Sequence, residues 1–248
     1  MTQSVNPNSS GKFREFSIVF LIFAAAIILF WWRVWIPSPP DRMHFTDDIL
    51  IKDYPTRMGL FRQVLDGRLP LWDPYQFGGW PGLANCEAGI FYPLNWPLIP
   101  CANSPELAFQ VTQWIVLLHF FIAGLGTYRY ARYLGLSPLG AGFSAMSFMF
   151  CGFLCAHKKH TNMVFTLVWF PWLLLQAERW IRARKSQFLF RMTLLLGLSF
   201  LAGHPQSSLY LTLVLTARLM MGIFERNPDP FCRQQWFTRG LAPILGVL

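Results

Sequence analysis

Charge is the scarcest feature of this sequence. Only 13% of its 248 residues are Asp, Glu, Lys or Arg, about half the ~25% of an ordinary soluble chain. That shortfall excludes a disordered chain, a coiled coil and a nucleic-acid-binding domain with a solvated basic face. Cysteine is sparse too: there are five, with no Cys-x-x-Cys and no Cys/His spacing of a zinc site. Cys86 and Cys101 share one polar stretch and could pair in an oxidising compartment, although two unpaired small hydrophobes fit equally well. Internal repeats and low-complexity segments are missing as well.

Apolar residues fill the chain instead. Counted with glycine and without tyrosine they make up about 58%, against roughly 45–50% in globular chains. A helix needs about 20 apolar residues to cross a bilayer. Phe16–Trp32 is uncharged and continues past Arg33 to Ile36, predicting a first span over 16–36. Bulky Phe30, Trp31 and Trp32, with no small-x-small site before Pro37–Pro40, favour an uncleaved anchor over a signal peptide. A polar stretch, 37–106, follows. The uncharged runs Leu107–Tyr128, Leu139–Ala156 and Met163–Ala177 predict three more spans. Met192–Ala217 is uncharged as well, ~39 Å long as one helix, but Gly203–Ser208 interrupts it and predicts two spans. Residues 107–248 then hold spans two to six. Gly240–Leu248, too short to cross, reads as the start of a seventh span in a longer protein.

The net charge of +9 is better read as membrane topology than as nucleic-acid affinity. With residues 1–15 cytoplasmic, 13 of the 21 basic residues fall inside and every short inner loop is basic; the other eight share the outer side with eight acidic residues. The expected fold is an all-α polytopic membrane protein with a cytoplasmic N-terminus, a bacterial inner-membrane address and a long outer first loop.

That layout gathers polar chemistry on one face. His44, His157, His160 and His204 fall outside, as do Asp41, Asp47, Asp48, Asp53, Asp66, Asp73 and Glu87. Three outer segments supply them: the long loop, Ala156–Asn162, and Gly203–Ser208. Ionisable groups concentrated at a membrane face suggest a site, although outer loops are polar in any case. Within the loop, Thr56–Leu65 places Met58, Phe61 and Leu65 on one helical stripe, with Arg57, Arg62 and Gln63 opposite. Such a short amphipathic helix could lie in the interface plane or pack on the loop's own core. The segment Pro70–Gly82 is dense in Pro, Gly and aromatics; flat faces such as Trp72 and Tyr75 suit a sugar ring or a headgroup belt.

Several motifs in order resemble the bacterial YfhO-type integral membrane proteins, which share the GT-C glycosyltransferase fold. They are Gly67-Arg68-Leu69-Pro70-Leu71-Trp72-Asp73-Pro74-Tyr75-Gln76-Phe77-Gly78-Gly79-Trp80-Pro81, then Ala84-Asn85-Cys86-Glu87 through Phe91-Tyr92-Pro93-Leu94-Asn95. Ala156-His157 with His160, Trp169-Phe170-Pro171, and Ala202-Gly203-His204-Pro205-Gln206 follow. The resemblance covers most of Asp48–Tyr210. Lys52 stands where the family often has Gln, Asp73 where Asn is usual and Glu87 where Gln is usual, so the loop carries two extra carboxylates.

The resemblance implies transfer of a sugar from a polyprenyl-phosphate donor to an outer-surface acceptor, a cell-envelope glycopolymer or a lipid, with membrane lipids as surroundings and no nucleic-acid partner. It implies an outer-loop Asp as general base or metal-orienting acid. Asp48, seven residues before Pro55, is the first candidate and Asp47 the second; either could instead cap the following segment. Substrate-binding candidates are Trp72, Asp73, Tyr75, Asn85 and Glu87 in the loop. Beyond it, Lys158 and Lys159 could hold a lipid phosphate or touch anionic headgroups, while His157, His160, His204 and Gln206 complete the set. A divalent cation stays open as cofactor, since His157 and His160 make no site without acids from the loop. His119, alone within its span, reads as a hydrogen bond between helices. The competing classes are a transporter or lipid flippase, and a non-catalytic homologue. Transporters carry ionisable residues near mid-membrane, whereas here the acids sit in a loop.

Overall fold

A computed structural model describes residues 7–34, 49–76 and 78–224. Among these residues the chain is all-helical, with one isolated bridge between Asp73 and Trp80 and no strand. The helices are α1 (Pro7–Phe30), α2 (Tyr54–Leu65), α3 (Pro105–Tyr133), α4 (Pro138–Met149), α5 (Gly152–Ala156), α6 (Thr161–Leu167), α7 (Phe170–Ala183), α8 (Ser186–Leu201) and α9 (Pro205–Phe224). Three stretches are long and apolar enough to cross a membrane: Pro105–Tyr133, Pro138–Lys159 and Pro205–Phe224. The expected seventh span, Gly240–Leu248, lies outside the described residues.

At 29 residues, about 43 Å, α3 forms the central post; α1, α2, α4, α6 and α7 all pack on it. From α1 and the residue that follows it, Phe23, Ile27 and Trp31 face inward at four-residue spacing, with Phe23 edge-on to Tyr128 and Trp31 to Phe120. The opposite flank leaves Leu21 and Leu29 exposed. Against α4 the packing uses small residues: Ala141 and Ala145 are buried, and a β-carbon at Gly124 would meet the Met149 sulfur at 2.8 Å.

Three expected spans change shape. The first helix begins at Pro7 and ends at Phe30, where a 3-10 turn, Trp32–Val34, takes over; the polar start at 7–15 is helical rather than a separate tail. The run 139–156 breaks at Phe150–Cys151, and the Cys151 sulfur accepts the Leu154 N–H to start α5. The run 163–177 divides into α6 and α7 at Val168–Trp169, where Pro171 brings no N–H to continue α6. Beyond Ala177, α7 buries Glu178, whose carboxylate takes two hydrogen bonds from Arg218 of α9, at 2.6 and 2.8 Å. The predicted break between the last two spans falls at Ala202–His204.

The two ends of the bundle differ. Residues 49–104 cover the end where α1 and α8 finish and α3, α6 and α9 begin; this is the loop end. At the other, basic end, Arg132 closes on Glu15, and Arg184 donates to the Gly222 carbonyl at 3.1 Å.

Candidate functional site

The loop is held to the bundle by a buried arginine. Arg57 of α2 has 1% of its surface exposed. Its Nε donates to the Ala88 carbonyl at 3.0 Å, and one Nη donates to Thr161 Oγ1 at 3.0 Å and Asn162 Oδ1 at 2.6 Å. Thr161 passes the link on, donating to the Asp53 carboxylate at 2.5 Å. Burial draws the Arg57 guanidinium below its ordinary pKa, and the Asp53 charge opposes that pull. The amphipathic helix packs into the core, and Arg57, assigned to its polar face, is its most buried charged residue.

A second link is backbone against backbone. Gly203 adopts φ +94°, and a β-carbon there would stand 2.3 Å from the Cys86 carbonyl oxygen. Only glycine lets the α8–α9 turn close on the loop at Cys86–Glu87. A third link is polar. Trp169 Nε1 donates to Tyr92 Oη at 3.1 Å, and Tyr92 Oη meets His119 Nε2 at 2.7 Å. His119 Nδ1 lies 2.6 Å from the Ile115 carbonyl, which can only accept, so Nε2 is the acceptor for Tyr92. The lone mid-span histidine thus anchors the loop as well as the helices.

Between these links lies a pocket of about 170 Å³ lined by Lys52, Asp53, Glu87, His157, His160, Asn162, Met163 and His204. Lys52 pairs with Glu87. Asn85 accepts the Glu87 N–H at 3.1 Å and so fixes the turn that carries the carboxylate. His157 Nδ1 donates to the Phe153 carbonyl at 2.9 Å, leaving Nε2 as its acceptor atom; its ring stands 5.4 Å from that of His160. His204 Nδ1 accepts the Ser207 N–H at 3.2 Å and caps α9, so a neutral His204 carries its proton on Nε2. The His204 pKa is lowered, first by burial and then by His160 and Lys52, with Glu87 pulling the other way.

A mainly apolar groove of about 170 Å³ is lined by residues including Leu83, Cys86, Ile90, Phe91, Phe200 and Leu201. Cys86 and Glu87 are chain neighbours, one in the groove and the other in the pocket. Cys86 and Cys101 are both free thiols.

The three segments expected to share a face therefore do meet, and four of the expected residues line one pocket: Glu87, His157, His160 and His204. Asn85 fixes the Glu87 turn and lines the groove, and the others stand apart. Asp47 and Asp48 lie outside the described residues, immediately before Ile49. Asp73 is buried and spent on its own turn: it exchanges backbone hydrogen bonds with Trp80 and accepts the Tyr75 N–H at 3.0 Å. Trp72 and Tyr75 are exposed but away from the pocket, with the Trp72 ring pressed on Gly79, where a β-carbon would come within 2.3 Å. Lys158 sits over the Trp31 ring at 4.9 Å, and Gln206 donates to Tyr210 on the exposed face of α9. Lys159 does not line the pocket. Sequence reasoning gave no site role to Lys52, Asp53 or Asn162; the signal was there in Lys52, which departs from the family pattern at a loop position.

No three His, Cys, Asp or Glu groups among the described residues are placed to hold a metal. Thr161 donates to the Asp53 carboxylate, and Lys52 pairs with Glu87. Among the described residues the fold and site define an all-helical protein with three helices long and apolar enough to cross a membrane and a charged pocket under a loop. No family model, curated protein or solved structure matches the chain.

Proposed function

We propose that the loop end is the site of a membrane glycosyltransferase of the GT-C type, moving a sugar from a polyprenyl-phosphate donor to an envelope acceptor at the outer face of a bacterial inner membrane. The observation that carries this reading is a pair of chain neighbours: Glu87 lines a charged pocket and Cys86 lines a mainly apolar groove. A lipid-linked sugar phosphate needs such a pairing, polar space for its head beside apolar space for the start of its chain. The motif resemblance to YfhO-type proteins points the same way.

In this reading Lys52, oriented by Glu87, faces the phosphate and neutralises the charge that grows on it. The acceptor hydroxyl oxygen bonds to the sugar's C1 as the C1–O bond to phosphate breaks. The electron pair leaves on polyprenyl phosphate, and the hydroxyl proton passes to a base. Asp48 is that base by the resemblance, and His157 Nε2 orients the acceptor hydroxyl.

The test uses the full chain in nanodiscs, with Cys86 as reporter. A short-chain polyprenyl phosphate should slow alkylation of Cys86 severalfold in wild type and have no such effect in Lys52→Met. An unchanged rate at saturating lipid in wild type would overturn the assignment.

A further inference from the structure

A large concavity lies at the basic end, away from the loop. A cavity of about 600 Å³ opens between the start of α1, the end of α3, α7 and the start of α8. Four arginines line it, Arg129, Arg132, Arg179 and Arg191, against one carboxylate, Glu15. That carboxylate is already committed. It takes Arg132 Nε at 2.8 Å and Nη2 at 3.3 Å, and the Tyr128 hydroxyl at 2.6 Å.

The other three arginines have no carboxylate within salt-bridge distance among the described residues. Aromatic rings hold them instead. Arg129 lies over Phe16 at 4.8 Å and Trp172 at 5.2 Å, Arg179 over Tyr133 at 5.5 Å, and Arg191 over Phe188 at 5.8 Å. A ring face positions a guanidinium while leaving its N–H edge for another acceptor. Arg179 also feels Arg129 and Arg191 as like charges. Repulsion of this kind opposes folding unless an anion offsets it.

A second observation narrows the anion. Gln176 is 5% exposed, lines the same cavity, and its buried Oε1 has no hydrogen-bond partner. A buried amide oxygen without a donor forfeits the bond it had in water. A bare phosphate dianion offers it no donor. A phosphate ester that also carries a hydroxyl satisfies both requirements: oxygens for the guanidinium edges and an O–H for Gln176.

We propose that this cavity binds a hydroxyl-bearing phosphate ester, held by Arg129, Arg179 and Arg191 and read by Gln176. The chemistry is that of a glycerol phosphate, which a membrane supplies as a lipid headgroup and the aqueous phase as a small solute. Basic pockets between membrane helices are suited to the first source. The site is distinct from the loop-end pocket and does not depend on the reading given there.

Thermal unfolding of the full chain in neutral detergent distinguishes the sources. Dihexanoyl phosphatidylglycerol should raise the Tm saturably, by several degrees, while dihexanoyl phosphatidylcholine should not. A matching rise with glycerol 3-phosphate assigns the site to headgroup chemistry alone; a rise with the lipid only assigns it to the membrane. Arg179→Gln should abolish the shift, and Arg191→Gln, an exposed position that folding tolerates, should cut the apparent affinity about tenfold. Gln176→Leu should retain binding but lose the preference for phosphatidylglycerol over phosphatidylmethanol, which lacks the hydroxyls. Equal stabilisation by phosphatidylcholine, or a shift that survives in both arginine variants, would overturn the proposal.

Discussion

Arg57 of α2 and Asn162 of α6 are 105 positions apart in sequence, yet a guanidinium nitrogen of one lies 2.6 Å from the side-chain oxygen of the other. This contact decides where the loop sits. It holds α2 against α6, sets Asp53 and Asn162 side by side in the pocket wall, and through Ala88 fixes the turn that presents Glu87.

Arg57→Met should therefore unfold the loop end selectively. Removing one partner of a buried charged network costs about 3–5 kcal/mol. Arg57→Lys should recover little, because a single ammonium cannot reach the Ala88 carbonyl and both α6 side chains together. Melting temperature and protease sensitivity of the loop measure this; a wild-type Tm in Arg57→Met would remove the arginine from its structural role.

Gly203→Ala tests the close approach at Cys86. Positive φ alone costs a β-carbon residue about 1–3 kcal/mol, and the 2.3 Å contact falls on backbone that cannot rotate away. The Tm should drop and Cys86 alkylation should accelerate as the turn lifts from the loop. Gly197→Ala, on α8 with nothing within 4 Å of its β-carbon position, is the control and should change neither.

His204 makes stability depend on pH. Its pKa is depressed in the fold against about 6.5 in the unfolded chain. The unfolded state then binds more protons over the interval between the two values. Stability is complete above about 6.5 and falls as acid moves the pH down toward the folded value. Protonation at Nδ1 also removes the acceptor that caps α9. Melting from pH 7.5 to 5.5 should show a steeper acid loss in wild type than in His204→Asn, which keeps a capping oxygen without titrating. Superimposable curves would count against it.

Orientation can be read from thiol labelling of intact cells whose outer barrier is opened. Cys86 is exposed at the loop end and should react with an impermeant reagent. In a cysteine-free background Gln206→Cys should also react, and Ser186→Cys, at the basic end, should not. The reverse pattern would invert the topology.

Much of this was legible in the sequence, for specific reasons. Uncharged runs located the helices because a bilayer tolerates little else, and Gly203-His204-Pro205 marked the last break because glycine and proline end helices by simple geometry. The meeting of three polar segments followed from topology alone. Arg57 was misread because charge was taken as a sign of exposure; its positions relative to Leu60, Phe61 and Val64, three, four and seven residues on, put it on their stripe. The divided α6–α7 run was hidden by its unbroken hydropathy. The pairings that make the pocket, Lys52 with Glu87 and Asp53 with Thr161, join residues far apart in the chain that no local pattern connects.

The most direct measurement is sugar transfer itself, followed with radiolabelled polyprenyl-phosphate sugars and envelope acceptor by the full-length protein in liposomes. Wild type should turn over. Asp48→Asn should lose roughly two orders of magnitude or more, the scale of a positioned general base, and Asp47→Asn much less. Lys52→Met should lose at least about tenfold through weaker handling of the leaving phosphate. Wild-type turnover that survives unchanged in both Asp48→Asn and Lys52→Met would contradict the account.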